Sequence, residues 1–401
     1  MSEGLNSAER FVYSTCRQSF LSLWSYANPS RRAGKELCDI LVVCEPDLII
    51  FSVKNVGLSD AKDPVVGWKR WRKKAVEQSA DQIYGAERWL DAATGVIRSD
   101  GSSGLVLPSR DERRIHRIAV ALGSQGRVPI EFGDFGKGFV HVFDELSFPV
   151  LLSELDTITD FVSYLRAKEN LVAAGVRLVF EGSEEDLMAF YLHNGRSFPQ
   201  TRSCIIVGDD LWRQFKEKEE AKAKKRSDED SYIWDRLIEL WAKDVLHENL
   251  EFPSSLNNAE MALRVMAKEN RFSRRILGKS FREFIDQSSA GKVRAQMLKA
   301  HSEIVYVFLA LPHTEDRQFR VAELGTRCFV ARGLHPGCKT VIGLATEQYE
   351  RGNGFSFDLF FLYEELWTDD NQRAMERIQR DCGFFVRPEK SHSREDEYPK
   401  D

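Results

Sequence analysis

Asp39 and Lys54 carry the chemistry that stands out in this chain. Asp39 lies within the apolar run LCDILVVC (37–44), and Lys54 directly follows LIIFSV (48–53). Both runs are rich in β-branched residues, with Glu45-Pro46-Asp47 between them, so they read as a hairpin. A two-residue turn at Pro46-Asp47 sets Asp39 opposite Lys54. Directly opposed residues share a face, so Asp39, Leu41 and Val43 point the same way as Lys54, Ser52 and Ile50. A carboxylate there can hold Mg²⁺ or Mn²⁺ while the ion keeps several waters. A neighbouring lysine can orient or deprotonate one of those waters and stabilise charge building on a phosphoryl group. That combination suits phosphodiester hydrolysis.

Further groups surround this pair in the sequence. Glu36 precedes Asp39 by three residues. A helix is expected over 68–91, with Val76, Ala80, Ile83 and Leu90 on its apolar face. Glu87 falls on that face and Glu77 at its border. A buried acid needs a partner; a metal, Lys54 or an arginine would each serve. Gln78 and Gln82 lie one helical turn apart on the same element. Arg31, Arg32 and Lys35 precede the first strand. Lys69, Arg70, Arg72, Lys73 and Lys74 follow Trp68 and surround Trp71. Such clusters contact phosphates, and indoles stack on bases. A solvated helix start with core tryptophans is the competing reading.

The segment GKELCDILVVCEPDLIIFSVKN resembles the core of the PD-(D/E)xK, or restriction-endonuclease-like, nucleases over roughly residues 5–145. The resemblance implies an αβββαβ core, with Asp39 as the first acid and Lys54 as the lysine. It implies metal held by carboxylates, and a further acid in the region of Glu9. Gln78 and Gln82 resemble the helix glutamine of recombination-type members. Ser52 stands where the family has its second acid. In some members with this pattern the next helix supplies the missing carboxylate, which makes Glu77 and Glu87 the replacement candidates; Glu36, at the strand mouth, is another candidate ligand. The expected function is a Mg²⁺-dependent DNA nuclease in restriction, repair or anti-phage defence, with RNA not excluded as substrate. The alternative is an inactive nuclease fold acting as a nucleic-acid-binding, sensor or scaffold module.

These groups need a scaffold, and 401 residues suffice for two or three domains. Helices are expected at 7–26 and 156–168, and strands at 115–122 and 139–143, within a nuclease domain spanning 1–168. A connection follows over 169–230, ending in the almost wholly charged stretch 216–230. A second α/β region covers 231–388, helical to about 300 with strands at 303–311, 340–345 and 355–362. It shows no nameable motif and is expected to meet a protein partner or a second copy. A charged tail occupies 389–401. The class is mixed α/β. A formal net charge of −5 excludes a generally basic coat, so nucleic-acid contact must be local. No apolar run is long enough to span a bilayer. The seven cysteines are scattered without a CxxC pair, and the first residues do not read as a secretory signal, so a cytoplasmic setting with reduced thiols is expected.

Overall fold

A computed structural model describes residues 5–32, 34–58, 63–126, 131–246, 256–299, 303–350, 352–354, 356–386 and 395–399. The chain forms two compact units, Met1–Lys222 and Ala223–Asp401. It is mixed α/β throughout, and among the described residues no helix is long and apolar enough to cross a membrane.

In the first unit, α1 (Ser7–Phe20) starts at a capping box. The Asn6 side chain accepts from the N–H groups of Ala8 and Glu9 at 3.0 Å, and Glu9 accepts from the Asn6 N–H at 3.1 Å. The helix stops earlier than its apolar pattern suggests, because Leu21 adopts φ 68°, outside the helical region. The chain then enters β1 (Ser25–Ala27), β2 (Ser30–Arg32) and β3 (Lys35–Glu36).

The hairpin forms as β4 (Ile40–Cys44) and β5 (Asp47–Asn55), but its turn is Glu45-Pro46, joined by a cis peptide bond. Leu41 pairs with Ile50 and Cys44 with Asp47. Continuing that ladder one step sets Asp39 across from Ser52 rather than Lys54. Asp47 stays in the strand because its buried carboxylate meets His116 and Arg114, each at 2.9 Å. A register shift of two residues keeps every side chain on its expected face. Asp39, Ser52 and Lys54 therefore still lie on one side of the sheet.

A helix covers that side. It runs as α2 (Pro64–Arg72), a π-helical turn (Lys73–Glu77) and α3 (Gln78–Leu90). Val76, Ala80, Ile83 and Leu90 are buried in one cluster with Leu41, Val43, Leu48 and Ile50. Ile83 is fully buried, so truncating it to alanine would cost about 2–5 kcal/mol. After β6 (Gly95–Ile97) and β7 (Ser103–Val106), β8 (Arg114–Leu122) returns parallel to β5, with Ala119 beside Ser52 and Ala121 beside Lys54. These small residues leave room for α3. Two more strands, β9 (Phe132–Asp134) and β10 (Phe139–Phe143), complete the sheet in the order β1-β4-β5-β8-β10-β9. The glycine-rich segment 135–138 joins them. Strands β2, β3, β6 and β7 form a separate small sheet.

The opposite face carries α1, α4 (Ser147–Glu154) and α5 (Ile158–Ala173). No division between units falls at 168, since α5 continues through it. The unit goes on with β11 (Arg177–Phe180), α6 (Glu184–His193), β12 (Cys204–Val207) and α7 (Leu211–Glu217). The boundary at Lys222–Ala223 lies inside the charged stretch, within α8 (Glu219–Ser227). Beyond it the stretch is packed: Lys224 and Asp228 are buried and paired at 2.5 Å, with Arg275 3.3 Å from Asp228.

The second unit has α9 (Ser231–Leu246), α10 (Leu256–Ala267) and α11 (Arg271–Ser289) before its sheet. The sheet order is β13 (Ala295–Lys299), β14 (Ile304–Leu311), β15 (Thr340–Glu347) and β16 (Phe357–Tyr363). The strand β13 lies where the helical pattern was expected to continue. α12 (Arg317–Leu334) links the parallel pair β14 and β15 and sits close on the sheet. A Cβ at Gly343 would lie 2.6 Å from Cys328 Sγ, so only glycine fits there. A last helix, α13 (Asp369–Cys382), follows. Of the expected tail, 395–399 are described and docked: Glu395 pairs with Lys279 at 2.6 Å, and Arg275 donates to the backbone of Asp396. Residues 389–394 and 400–401 lie outside the described residues.

Candidate functional site

Asp39 is buried at the start of β4. Its Oδ2 accepts the backbone N–H of Val53 at 2.5 Å, and its carbonyl accepts from the Asn28 N–H at 2.9 Å. The acid is thus tied to β5 one residue before Lys54. Lys54 is half-buried and makes no hydrogen bond or ion pair among the described residues. Its ammonium is therefore uncommitted at the end of an apolar strand.

Glu36, on the exposed rim in β3, lies close enough to the Asp39 carboxylate for the two acids to interact. Its carboxyl is raised to about 7. Loss of hydration is the main cause, followed by the hydrogen bond to Asp39, the charge of Asp39 and that of Glu9; Lys54 opposes them. Glu36 thus feels three other sequence-derived candidates, Glu9, Asp39 and Lys54. Glu9 is also committed to the α1 cap.

Ser52 is buried and donates to Gln82 Oε1 at 2.8 Å. The glutamine therefore reaches the position where a second acid was expected. Gln78 lies exposed one turn earlier. The other helix acids meet arginines. Glu87 takes a two-pronged contact from Arg117, at 2.7 Å from Nε and 2.5 Å from Nη2. Glu77 pairs with Arg72, which also gives its Nε to Glu131 at 2.8 Å. Of the three partners open to these acids, an arginine is the one observed.

Arg31 and Lys35 are exposed on the small sheet, and the Arg32 side chain lies outside the described residues. Lys69, Arg70, Lys73 and Lys74 are exposed along the helix. Trp71 belongs to the core, where its Nε1 donates to the Val56 carbonyl at 2.8 Å and pins the helix behind the end of β5.

Among the described residues no group of three acid, histidine or cysteine side chains is arranged to hold a metal ion. The adjoining carboxylates of Asp39 and Glu36 still match a Mg²⁺ site of one or two carboxylates completed by water.

The sequence reading did not single out the polar layer on the opposite face. There His116 meets Asp47 at 2.9 Å, and the fully buried His141 meets Glu169 at 2.9 Å. Burial holds His141 down at about 4, against the raising effect of its bond to Glu169. The signal was present in Arg114-Ile115-His116-Arg117, where polar residues enter an apolar strand. All seven cysteines are free thiols. Compared with protein-family models, curated proteins and solved structures, the chain finds no match.

Proposed function

We propose that the first unit is a metal-dependent nuclease of the restriction-endonuclease-like kind, acting on DNA. The observation that carries this reading is the gathering of Asp39, Glu36 and Lys54 at one end of the β4–β5 hairpin. The order supports it as well: a helix, three antiparallel strands, a helix, then a strand parallel to the third. In this reading Asp39 and Glu36 hold Mg²⁺ or Mn²⁺, with water filling the remaining positions. Lys54 orients the attacking water, and Ser52 with Gln82 holds the strand end in place. Arg31, Lys35 and the exposed Lys69–Lys74 cluster supply sequence-independent phosphate contacts. Restriction, repair or anti-phage defence would use such an enzyme in the cytoplasm, with the second unit meeting a partner or trigger.

The test is Mg²⁺-dependent cleavage of plasmid DNA and of a matched RNA by wild type, Asp39→Asn and Lys54→Ala. Equal cutting by all three would assign the activity elsewhere. A second reading, a nuclease fold without catalysis, draws on Ser52: its hydroxyl is spent on Gln82, and the described residues hold no group of three acid, histidine or cysteine side chains arranged for a metal. Calorimetric titration with Mn²⁺ separates the two. Saturable binding that disappears in Asp39→Asn supports the enzyme; absent binding supports the inactive module.

A further inference from the structure

Beside the π-helical turn lies a two-part groove. One part, about 500 Å³, is lined by Trp68, Lys69, Arg72, Lys73, Glu77 and Glu131. The other, about 390 Å³, shares Arg72 and Glu131 and continues along β9 to β11. Each lies within the size range of small-ligand sites.

The two parts differ chemically. In the first, Glu77 and Glu131 neutralise Arg72. Lys69 and Lys73 have no acid partner among the described residues, so their charge is open to a ligand. Trp68 lines this part, and its Nε1–H is buried with no acceptor among the described residues. An orphaned buried donor is costly, and a bound acceptor would relieve it. The second part is aromatic. Phe132 and Phe180 meet edge to face at 5.8 Å, and Phe135 lies under the Arg72 guanidinium at 5.8 Å. Asp134 closes this end. Its Oδ1 accepts from the N–H groups of Gly136 and Gly138 at 2.6 and 2.9 Å, and the residue is exposed.

We propose that this groove binds one nucleotide. Its phosphate rests on Lys69, Lys73 and the Trp68 N–H; its base lies against the phenylalanines and gives an exocyclic amine to Asp134. Base stacking tolerates any ring, so the carboxylate is what favours adenine over uracil. The nucleotide is either free or one unit of an unpaired strand. The second case rests on the nuclease reading, and the first does not.

The experiment is calorimetry of the full chain in EDTA with AMP, UMP and a single-stranded oligoadenylate. It is repeated on Lys69→Gln/Lys73→Gln, Trp68→Phe, Asp134→Asn and Lys54→Ala. AMP should bind saturably and more tightly than UMP. The double lysine variant should weaken AMP by about tenfold or more, since each charge-assisted contact is worth that order. Trp68→Phe should weaken it severalfold, Asp134→Asn should erase the preference over UMP, and Lys54→Ala, whatever its effect on cleavage, should leave AMP affinity as in wild type. Tighter binding of the oligonucleotide than of AMP identifies a strand as the source; equal or weaker binding identifies the free nucleotide. Two results overturn the proposal: no saturable binding of AMP or oligonucleotide to wild type, or binding that the lysine and tryptophan variants leave unchanged. Because metal and cleavage play no part, a failed nuclease assay with intact AMP binding separates the two ideas.

Discussion

The carboxylate of Asp39 accepts the backbone N–H of Val53, the residue immediately before Lys54. One side chain thus both satisfies a buried strand donor and sets the acid beside the lysine. The two roles can be separated by substitution. Asp39→Ala leaves the Val53 N–H without an acceptor and should cost about 1–3 kcal/mol. Asp39→Asn keeps an oxygen there and should stay within about 1 kcal/mol of wild type, yet lose Mn²⁺ binding. Urea unfolding and metal titration on the same preparations check this. An asparagine variant that binds Mn²⁺ normally would remove Asp39 from the site.

Lys54 lies at a strand end, and its side chain has no hydrogen-bond or ion-pair partner among the described residues. Lys54→Ala should melt like wild type while losing cleavage. Lys54→Arg should restore little, because a guanidinium neither releases a proton nor fills the same volume. Melting and cleavage measured together decide the matter, and normal cutting by either variant would end the catalytic assignment.

Glu87 belongs to a half-buried ion pair with Arg117. Glu87→Gln should lower stability by about 1–2 kcal/mol, a partly screened charge-assisted contact. Cleavage per folded molecule should not change. A large loss of activity with stability intact would return Glu87 to the metal site.

His141 makes stability depend on pH. Its folded value of about 4 lies below the ordinary 6.5, so the unfolded chain takes up a proton first as pH falls. The stabilisation is complete above about 6.5 and drains away between there and about 4, a change on the order of 3 kcal/mol by linkage. Glu169, whose value is also held down, adds to the loss at the acid end. Urea unfolding at a series of pH values from 7.5 to 4.5 should show this slope, and His141→Gln should flatten it. An unchanged slope in the variant would place the titration elsewhere.

The hairpin, the helix behind it and the face shared by Asp39, Ser52 and Lys54 follow from local pattern. Alternation and β-branched runs specify strands, and a 3.6-residue period specifies α3. Both survive a register shift of two. The register itself depended on Asp47, which stays in the ladder because His116 and Arg114, distant in sequence, hold its carboxylate. The end of α1 turned on one residue's backbone angle, and β13 had too short a pattern to stand apart from the helices before it.

The partners of the acids show the same division. Composition made Glu77 and Glu87 candidates, and position on the helix put them near the sheet. Whether each met a metal, a lysine or an arginine depended on which side chains β8 and the chain before β9 brought within 4 Å. Residue type, period and turn chemistry are local properties, so the sequence by itself determined the elements, their buried faces and the presence of an acid and a lysine on one of them. Pairing between distant segments is decided by the joint burial of many side chains and by which charges must be neutralised there. Only the fold could therefore decide that Glu36 comes close to Asp39, that Gln82 takes Ser52, and that the buried Trp68 N–H finds no acceptor among the described residues.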